Sequence, residues 1–338
     1  MIMNAFLELY GQIYYHRMEI RMIAAADVVF DAWPGAVVRN NLLYAADKIF
    51  VEERNLSLRE LIDTFPLNVE HPLYKELREG FPKGYVLTDF AHSDLSSSVT
   101  IKKNEIFSFS LLLIGRFNDY KSYFFQAIRE MCSRGIGKPL TPFLLLDISE
   151  KSLSGESQIV AVAQTNLTEE LRYPIRLADF IQEEESDEFS EITLRYKTPV
   201  ILFRLKNKKN PQLSYQDKSN RFPGFYQLVR SAFFRMQKLY AVYVEPTTYT
   251  PALFEETVTE TYLEKAGYPL LQSANIRYVS LQNTQKKEKV NEIPLAGYIG
   301  EQNYCGYCKK YLSLLQFMTI LGVGNETVYG MGRYEIEN

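Results

Sequence analysis

The sequence predicts an α+β protein built from two tandem βαββαβ units. Its 338 residues are enough for about two domains of ordinary size. The same order of predicted elements is found in both halves, and the same glycine-containing sequences recur at matching places in each half. With 46% hydrophobic and 23% charged residues, the composition is that of a folded protein rather than a disordered chain.

The first half of the sequence contains the elements of one unit. Alternating apolar residues predict a strand over residues 17–30, and Trp33-Pro34-Gly35 ends that pattern. A helix over 36–50 follows, because apolar residues recur at helical spacing from Val38 to Ile49. The remaining predicted elements are, in order, short helices at 58–63 and 73–78, strands at 85–89 and 106–114, a helix at 120–132 and a strand at 143–148. Without the two short helices the order is βαββαβ.

The second half repeats this order. Its predicted elements are a strand at 192–205, a long amphipathic helix at 225–243, an inserted helix at 252–266, strands at 276–282 and 295–302, a helix at 309–321 and a strand at 328–336. Between the halves lies a cluster of acidic residues: Glu183, Glu184, Glu185, Asp187, Glu188 and Glu191. We interpret the cluster as a solvated linker, and an acidic face on an ordinary loop is a compatible alternative. The predicted domains are residues 1–180 and 190–338.

The repeat is also visible in individual residues. The third strand ends Leu113-Ile114-Gly115 in the first half and Tyr298-Ile299-Gly300 in the second. A helix of similar length follows each, and then Gly135-Ile136-Gly137 or Gly322-Val323-Gly324. A duplication explains this spacing better than chance does. Because βαββαβ is the ferredoxin-like unit, we predict a tandem pair of ferredoxin-like domains.

Composition also excludes several classes of protein. No apolar stretch approaches the roughly 18 residues that a membrane span needs. Residues 1–10 have no basic residue ahead of their apolar positions, so we expect no secretory signal. Three cysteines do not make a disulfide framework, and a reducing cytoplasm is the expected location. The net charge of −3 argues against a uniformly basic surface but is compatible with a local basic groove.

The most specific motif lies near the C-terminus. Gly297-Tyr298-Ile299-Gly300 and a helix precede a glycine-rich run over 321–334. The first half contributes Gly35, Arg39 and the sequence Phe81-Pro82-Lys83-Gly84-Tyr85. With these motifs the chain resembles, nearly end to end, the RRM-like proteins of the CRISPR-associated RAMP superfamily. More narrowly, it resembles their repeat-processing endoribonuclease, the sixth of the numbered Cas families.

The resemblance implies a function. Proteins of this family bind CRISPR repeat RNA in a long precursor and cut it once in each repeat, which releases guide RNAs. The reaction needs no metal and no cofactor: the ribose 2′-hydroxyl attacks the adjacent phosphate and leaves a 2′,3′-cyclic phosphate and a 5′-hydroxyl. The implied partners are repeat RNA and other Cas effector subunits, with no membrane, and the protein is expected to be a monomer or a homodimer.

The acid and base of the reaction must be sought among few residues. Many family members use a histidine near the first helix, but the helix at 36–50 has none. In a βαββαβ unit the start of the first helix, the turn after the second strand and the turn before the fourth strand lie at one end, which places Arg39, His92 and Lys138 on one rim. His16 is expected at the opposite end, with Lys48.

We therefore predict His92 as general acid or base and Arg39 as the charge-stabilising residue, with Tyr44 or Lys48 as alternatives. A surface role for His92 is the simpler interpretation of a lone histidine. The missing helix histidine keeps a second hypothesis open, a non-catalytic RAMP subunit that holds guide RNA in an effector complex. A third hypothesis is a protein-interaction module without any role on RNA.

The predicted RNA-binding residues are glycines and cations of the second half, together with one lysine of the first. They are Gly322, Gly324, Gly330, Gly332, Arg333, Lys286, Lys287, Arg204, Lys206, Lys208 and Lys138. Glycines let backbone N–H groups approach a phosphate, and the alternative is a tight helix-to-strand connection without a ligand. Tyr329 and Tyr334 are candidates for stacking on bases. Cys305 and Cys308 lack the further ligands of a zinc site, so no metal is predicted.

Overall fold

The structure is a computed structural model that describes residues 10–31, 33–64, 82–91, 95, 98–162, 169–180, 190–202, 224–244, 269–281 and 295–337. The elements of the first unit are β1 (Tyr14–Ala24), β2 (Val28–Phe30), α1 (Pro34–Ala46), β3 (Phe50–Val51), β4 (Leu56–Ser57), α2 (Leu58–Thr64), β5 (Tyr85–Thr88), β6 (Val99–Ile101), β7 (Ile106–Ile114), α3 (Lys121–Arg134), β8 (Phe143–Lys151), β9 (Ser157–Val162) and β10 (Ile175–Arg176).

The first sheet has the strand order β5-β7-β1-β8-β9, with β10 paired to the start of β1. All these pairs are antiparallel, and β1 pairs with β7 from Tyr15 opposite Ile114 to Ile23 opposite Ile106. Strand β1 lies in the middle of the sheet, paired with β7 on one side and β8 on the other, and its residues alternate between the two faces. Met18, Ile20 and Met22 are buried in the core, whereas the intervening residues are polar.

The second unit has the same arrangement. Its elements are β11 (Ser190–Val200), α4 (Phe225–Tyr243), β12 (Leu270–Ser280), β13 (Ala296–Gly306), α5 (Leu312–Leu321) and β14 (Tyr334–Glu337). The sheet order β12-β13-β11-β14 matches β5-β7-β1-β8 of the first unit position by position. The predicted fold class, α+β with tandem ferredoxin-like βαββαβ units, is confirmed.

Several predicted elements differ from the observed ones. The strand predicted over 17–30 is two strands, because the chain bends after Ala24 and β2 pairs with β6 instead. The strand predicted over 328–336 is wrong in its first part, where a 3₁₀ turn, Thr327–Tyr329, and two glycines precede β14. Strands β9 and β10 were not predicted. The helices predicted at 73–78 and 252–266, and the acidic cluster except Glu191, lie outside the described residues.

The two units share one continuous core. The ring of Tyr15 in β1 lies 5.4 Å, between centroids, from Phe317 in α5. The hydroxyl of Ser313 donates to the carbonyl of Phe180 at 3.0 Å. This packing fixes the position of the second unit's loops against the first unit. Within the described part of the chain, none of the helices combines the length and the apolar character that a membrane span requires.

Candidate active site

The glycine-rich connection between α5 and β14 has a shape that only glycine permits. Gly322, Gly324, Gly330 and Gly332 have φ values of +76°, +77°, +78° and +78°, a region that L-residues with a Cβ rarely adopt. A Cβ on Gly332 would lie 2.0 Å from the carbonyl oxygen of Val323. The glycines therefore let the loop pack on the protein's own backbone, which is the tight connection considered as the alternative. Contact with RNA stays a prediction.

This loop docks on the first helix of the other unit. The carbonyl oxygen of Tyr329 accepts a hydrogen bond of 2.7 Å from Nε1 of Trp33, immediately before α1. A Cβ on Gly35 would lie 2.0 Å from the same oxygen, so only glycine allows this approach. A Cβ on Gly330 would in turn lie 3.0 Å from the carbonyl oxygen of Leu87 in β5. The loop thus closes over the start of α1 and the end of β5.

Arg39 is the helix residue that meets the loop. Its Nη1 donates to the hydroxyl of Tyr329 at 3.0 Å, and its Cζ lies 4.6 Å from the centroid of that ring. A cation over an aromatic face is attracted by the ring quadrupole, so Tyr329 holds the guanidinium by two contacts at once. Arg39 is partly buried, and its Nε is buried without a hydrogen-bond partner.

Two residues beside Arg39 complete a polar cluster. Tyr85 is fully buried, and its hydroxyl has no hydrogen bond of good geometry. Burial raises the pKa of Tyr85 to about 12 although Arg39 opposes the rise, so this hydroxyl is a donor at neutral pH. Nζ of Lys83 donates to the carbonyl of Ile62 and to Oδ1 of Asp63, each at 3.2 Å.

Lys83 carries the only clear electrostatic signature of a functional lysine in the described part of the chain. Its side chain is 21% exposed, and burial lowers its pKa more than the neighbouring Asp63 raises it. We call Arg39, Asp63, Lys83, Tyr85 and Tyr329 the junction cluster. The motif around Lys83 and Tyr85 entered the resemblance, but no role on RNA was predicted for either residue. The signal for a role was a lysine between Pro82 and Gly84, directly before a strand.

Arg333 has a partner within the protein. Its Nη1 donates to the hydroxyl of Thr88 and, at 2.7 Å, to Oδ1 of Asp89. Arg17 donates to the other oxygen of the same carboxylate at 3.0 Å. Burial alone would raise the pKa of Asp89, but the two arginines lower it overall. The predicted phosphate contact of Arg333 stays a prediction, and the geometry adds a role in joining the two units.

Tyr44 and Lys48 lie further along α1 and contact α3 instead of the loop. The guanidinium of Arg134 lies 3.4 Å from the centroid of the Tyr44 ring. Lys48 pairs with Glu130 at 2.7 Å. The structure therefore does not bring these two residues to the junction cluster. Their proposed roles as alternatives remain predictions.

Lys138 lies near the start of α1, at the end of the βαββαβ unit where the sequence predicts it. Its Nζ pairs with Asp31, and its backbone N–H donates to the carbonyl of Val29 at 2.9 Å. The other predicted site residues, His92, Arg204, Lys206, Lys208, Lys286 and Lys287, lie outside the described residues.

Tyr334 and the two cysteines Cys305 and Cys308 are core residues. Tyr334 is 1% exposed and its hydroxyl donates to the carbonyl of Leu315 at 2.6 Å, so this ring is not available to stack on a base. Cys305 and Cys308 are both buried. Cys308 directs its thiol to the carbonyl of Ser190 at 3.7 Å.

Two family models match parts of this sequence. Residues 194–334 match the family model of the CRISPR-associated endoribonuclease Cas6. Residues 12–172 match a family model described as an N-terminal domain. No curated protein matches the sequence.

Solved structures share the fold. A Cas6 product complex, of a Cas6 from Thermus thermophilus, superposes with a TM-score of 0.52 at 13% identity, over 96% of this chain and 99% of that one. A partial Cas6-RT-Cas1–Cas2 complex gives a TM-score of 0.56 at 12% identity, over 97% of this chain and 47% of that one. The resemblance predicted from the glycine-rich motif is thereby confirmed: the second unit matches the Cas6 family model, and the whole chain shares the fold of solved Cas6 structures.

Proposed function

We propose that the protein is an endoribonuclease that cuts CRISPR precursor RNA within each repeat, without a metal ion. In this reaction the 2′-hydroxyl attacks the adjacent phosphate, and the products carry a 2′,3′-cyclic phosphate and a 5′-hydroxyl. The observation that carries the proposal is the docking of the glycine-rich loop, within the part that matches the Cas6 model, on α1 of the first unit. That contact brings Arg39 and Tyr85 beside Tyr329, and Lys83 lies near Arg39.

The chemistry requires three things of the protein. It must align the 2′-hydroxyl with the leaving oxygen, stabilise the charge of the phosphorane and transfer protons. A guanidinium held by an aromatic hydroxyl, as in Arg39, suits the second task because its position and charge are both fixed. His92 remains the proposed general acid or base from the sequence, with Tyr44 and Lys48 as the alternatives.

The RNA itself is proposed to run over the basic residues of the second half. The candidates are Arg204, Lys206, Lys208, Lys286, Lys287 and Arg333, with the four loop glycines and Lys138. Contacts of this kind predict binding that weakens steeply as salt rises. Since a structure of the same fold is a complex of Cas6 with RT-Cas1–Cas2, Cas proteins are the partners to test first after RNA.

The test is incubation of the purified protein with labelled CRISPR repeat RNA in EDTA. The same RNA with a 2′-deoxy nucleotide at the cut site is the control. The proposal expects the first RNA to be cut and the second to stay whole. Tight binding without a cut would instead support a non-catalytic subunit that holds guide RNA. Neither binding nor cleavage, with several different repeats, would contradict any role on repeat RNA.

A further inference from the structure

The backbone around Lys83 is held from both sides. The hydroxyl of Tyr243, the last residue of α4, donates to the carbonyl of Pro82 at 2.8 Å. The carbonyl of Gly84 accepts from the amide of Ile114 at 2.9 Å. A Cβ on Gly84 would lie 2.6 Å from the rings of both Phe117 and Tyr243. These contacts fix the backbone of Lys83, and its Nζ is held at 3.2 Å by both the carbonyl oxygen of Ile62 and Oδ1 of Asp63, so the ammonium is pre-organised as a catalytic group needs.

Two charged groups from neighbouring helices act on Lys83. Asp63 in α2 accepts from its Nζ and is itself 4.0 Å from Arg59. Arg39 in α1 adds a positive charge that acts on Lys83 in the same direction as burial. The hydroxyl of Tyr85 in β5 is coupled to Arg39, Asp63 and Tyr329. Lys83 therefore lies in a desolvated setting, with its ammonium paired to the carboxylate of Asp63 and the cation of Arg39 nearby.

The junction cluster contains polar atoms that the protein does not satisfy. Nε of Arg39 is buried without a hydrogen-bond partner, and the buried hydroxyl of Tyr85, beside Arg39, makes no hydrogen bond of good geometry. A buried polar atom left without a partner costs about 1–3 kcal/mol, so such atoms beside each other indicate a ligand with several acceptor oxygens. Arg39 and Lys83 are cations and Asp63 is the one acid of the cluster. An anion with acceptor oxygens, such as a phosphodiester, fits this surplus of donors and positive charge.

We propose that Lys83 is the general acid of the cleavage reaction, protonating the 5′-oxygen that leaves the scissile phosphate. The inference rests on the proposed function. The bond from the 2′-oxygen to phosphorus forms while the bond from phosphorus to the 5′-oxygen breaks. The Lys83 ammonium gives its proton to the 5′-oxygen, and the proton of the 2′-hydroxyl goes to water. Lys83 then regains a proton from solvent.

Burial suits Lys83 to this role better than the exposed lysines of the same unit. All three lysines are paired with a carboxylate, but the side chain of Lys83 is 21% exposed, whereas those of Lys48 and Lys138 are 51% and 62% exposed. Water surrounds such an ammonium and competes for the leaving oxygen. A lysine that burial makes more acidic transfers its proton more readily, because an acid is most effective when its pKa lies near the working pH.

The first arm of the test is single-turnover cleavage by Lys83→Ala, with Lys83→Met as a second variant that keeps the apolar stem. Each is expected to cut about 100-fold to 1,000-fold more slowly, which is the usual loss when a general acid is removed. Affinity for uncut 2′-deoxy RNA should change by less than about fivefold, since one phosphate contact of many is affected. Lys151→Ala is the matched control, because Lys151 is 31% exposed and lies 3.1 Å from Glu19.

The second arm uses RNA with a sulfur in place of the 5′-bridging oxygen at the cut site. A thiolate leaves without a proton, so both Lys83 variants are expected to cut this RNA within about tenfold of the wild-type rate. Variants that remain equally slow on both RNAs would overturn the role as acid, and so would variants that cut ordinary RNA at the wild-type rate. If the wild-type protein cuts neither RNA, the proposed function is overturned together with this inference. That outcome is distinct from failure of the inference alone, in which the wild-type protein cuts RNA and the Lys83 variants do not behave as expected.

Discussion

Nη1 of Arg333 lies 2.7 Å from Oδ1 of Asp89, so the glycine-rich loop of the second unit ends on a carboxylate of the first. The middle of the same loop is held by the contact of Tyr329 with Arg39. The loop is thus tied to the first unit at two points, one at the end of β5 and one on α1. The junction cluster depends on both.

Asp89→Asn should loosen the first of these ties. Asparagine has the same shape and tolerates the left-handed φ of +52° at this position, so only the charge is lost. We expect the free energy of unfolding, measured in urea, to be about 1–2 kcal/mol lower than that of the wild type. The reason is that the arginines lose a charged acceptor in a partly exposed pair. Glu169→Gln, which breaks the more exposed pair of Glu169 with Arg172, should change little. Equal stability of Asp89→Asn and wild type would show that the contact between Arg333 and Asp89 does not stabilise the protein.

Gly332→Ala should show that the loop glycines are required by the protein itself. The substitution combines a φ of +78° with a Cβ 2.0 Å from a carbonyl oxygen. Gly155→Ala is the control, because Gly155 has a φ of +91° but no atom within 4 Å of an added Cβ. Gly155→Ala should lower the free energy of unfolding by about 1–2 kcal/mol, from backbone strain alone. Gly332→Ala should lower it by at least about 2 kcal/mol more, because its Cβ also clashes. Equal unfolding free energies for the two variants would refute the packing argument.

Tyr329→Phe should show that the hydroxyl of Tyr329 matters more for positioning Arg39 than for folding. The ring and the carbonyl that binds Trp33 remain, and only the hydroxyl that accepts from Arg39 is lost. We expect the free energy of unfolding to fall by no more than about 1 kcal/mol, since one hydrogen bond is lost while the cation–ring contact remains. The cleavage rate at saturating RNA should fall roughly tenfold, equivalent to about 1.4 kcal/mol. Arg39→Ala should lose about 100-fold, as when one charge-stabilising donor is removed. A Tyr329→Phe variant that cuts at the wild-type rate would show that this contact does not position Arg39.

Glu150 should make stability depend on pH. Its fully buried carboxylate accepts from Nδ1 of His16 at 2.6 Å and from the amides of Arg172 and Tyr173 at 2.7 Å and 2.9 Å. Burial alone would raise the pKa of Glu150, but these hydrogen bonds lower it overall. The stabilisation is therefore complete above the unfolded pKa of about 4.3 and is lost as pH falls through the lower folded value.

The variant that tests this dependence is Glu150→Gln. Urea unfolding should show a wild-type advantage of about 3 kcal/mol at pH 5.5 that shrinks steadily toward pH 3. An advantage that is the same at both pH values would contradict the assigned cause.

Periodicity was enough to predict the fold. Strand β7 and helix α4 begin and end at the predicted residues because each has a strong apolar pattern of the right period. Strand β9 was missed because it begins Ser157-Gln158, and its Ile159 is 54% exposed, so it has no clean alternation. The strand predicted over 328–336 failed because Gly330 and Gly332 both adopt a φ of +78°, far from the extended backbone of a strand.

The site was less predictable than the fold. Arg39 and the glycine loop were identified from the sequence, but their meeting through Tyr329 joins residues 290 positions apart. Tertiary contacts of this range leave no periodic signal. Lys83 lies within the motif at residues 81–85 that contributed to the resemblance. The burial that lowers its pKa is a property of the packed structure alone.

The measurement that tests the central claim most directly is the identity of the new ends after repeat RNA is cut in EDTA, determined by mass spectrometry. We predict an upstream fragment with a 2′,3′-cyclic phosphate and a downstream fragment with a 5′-hydroxyl. An upstream 3′-hydroxyl with a downstream 5′-phosphate would show that water, not the 2′-hydroxyl, attacks the phosphate, and would contradict the account.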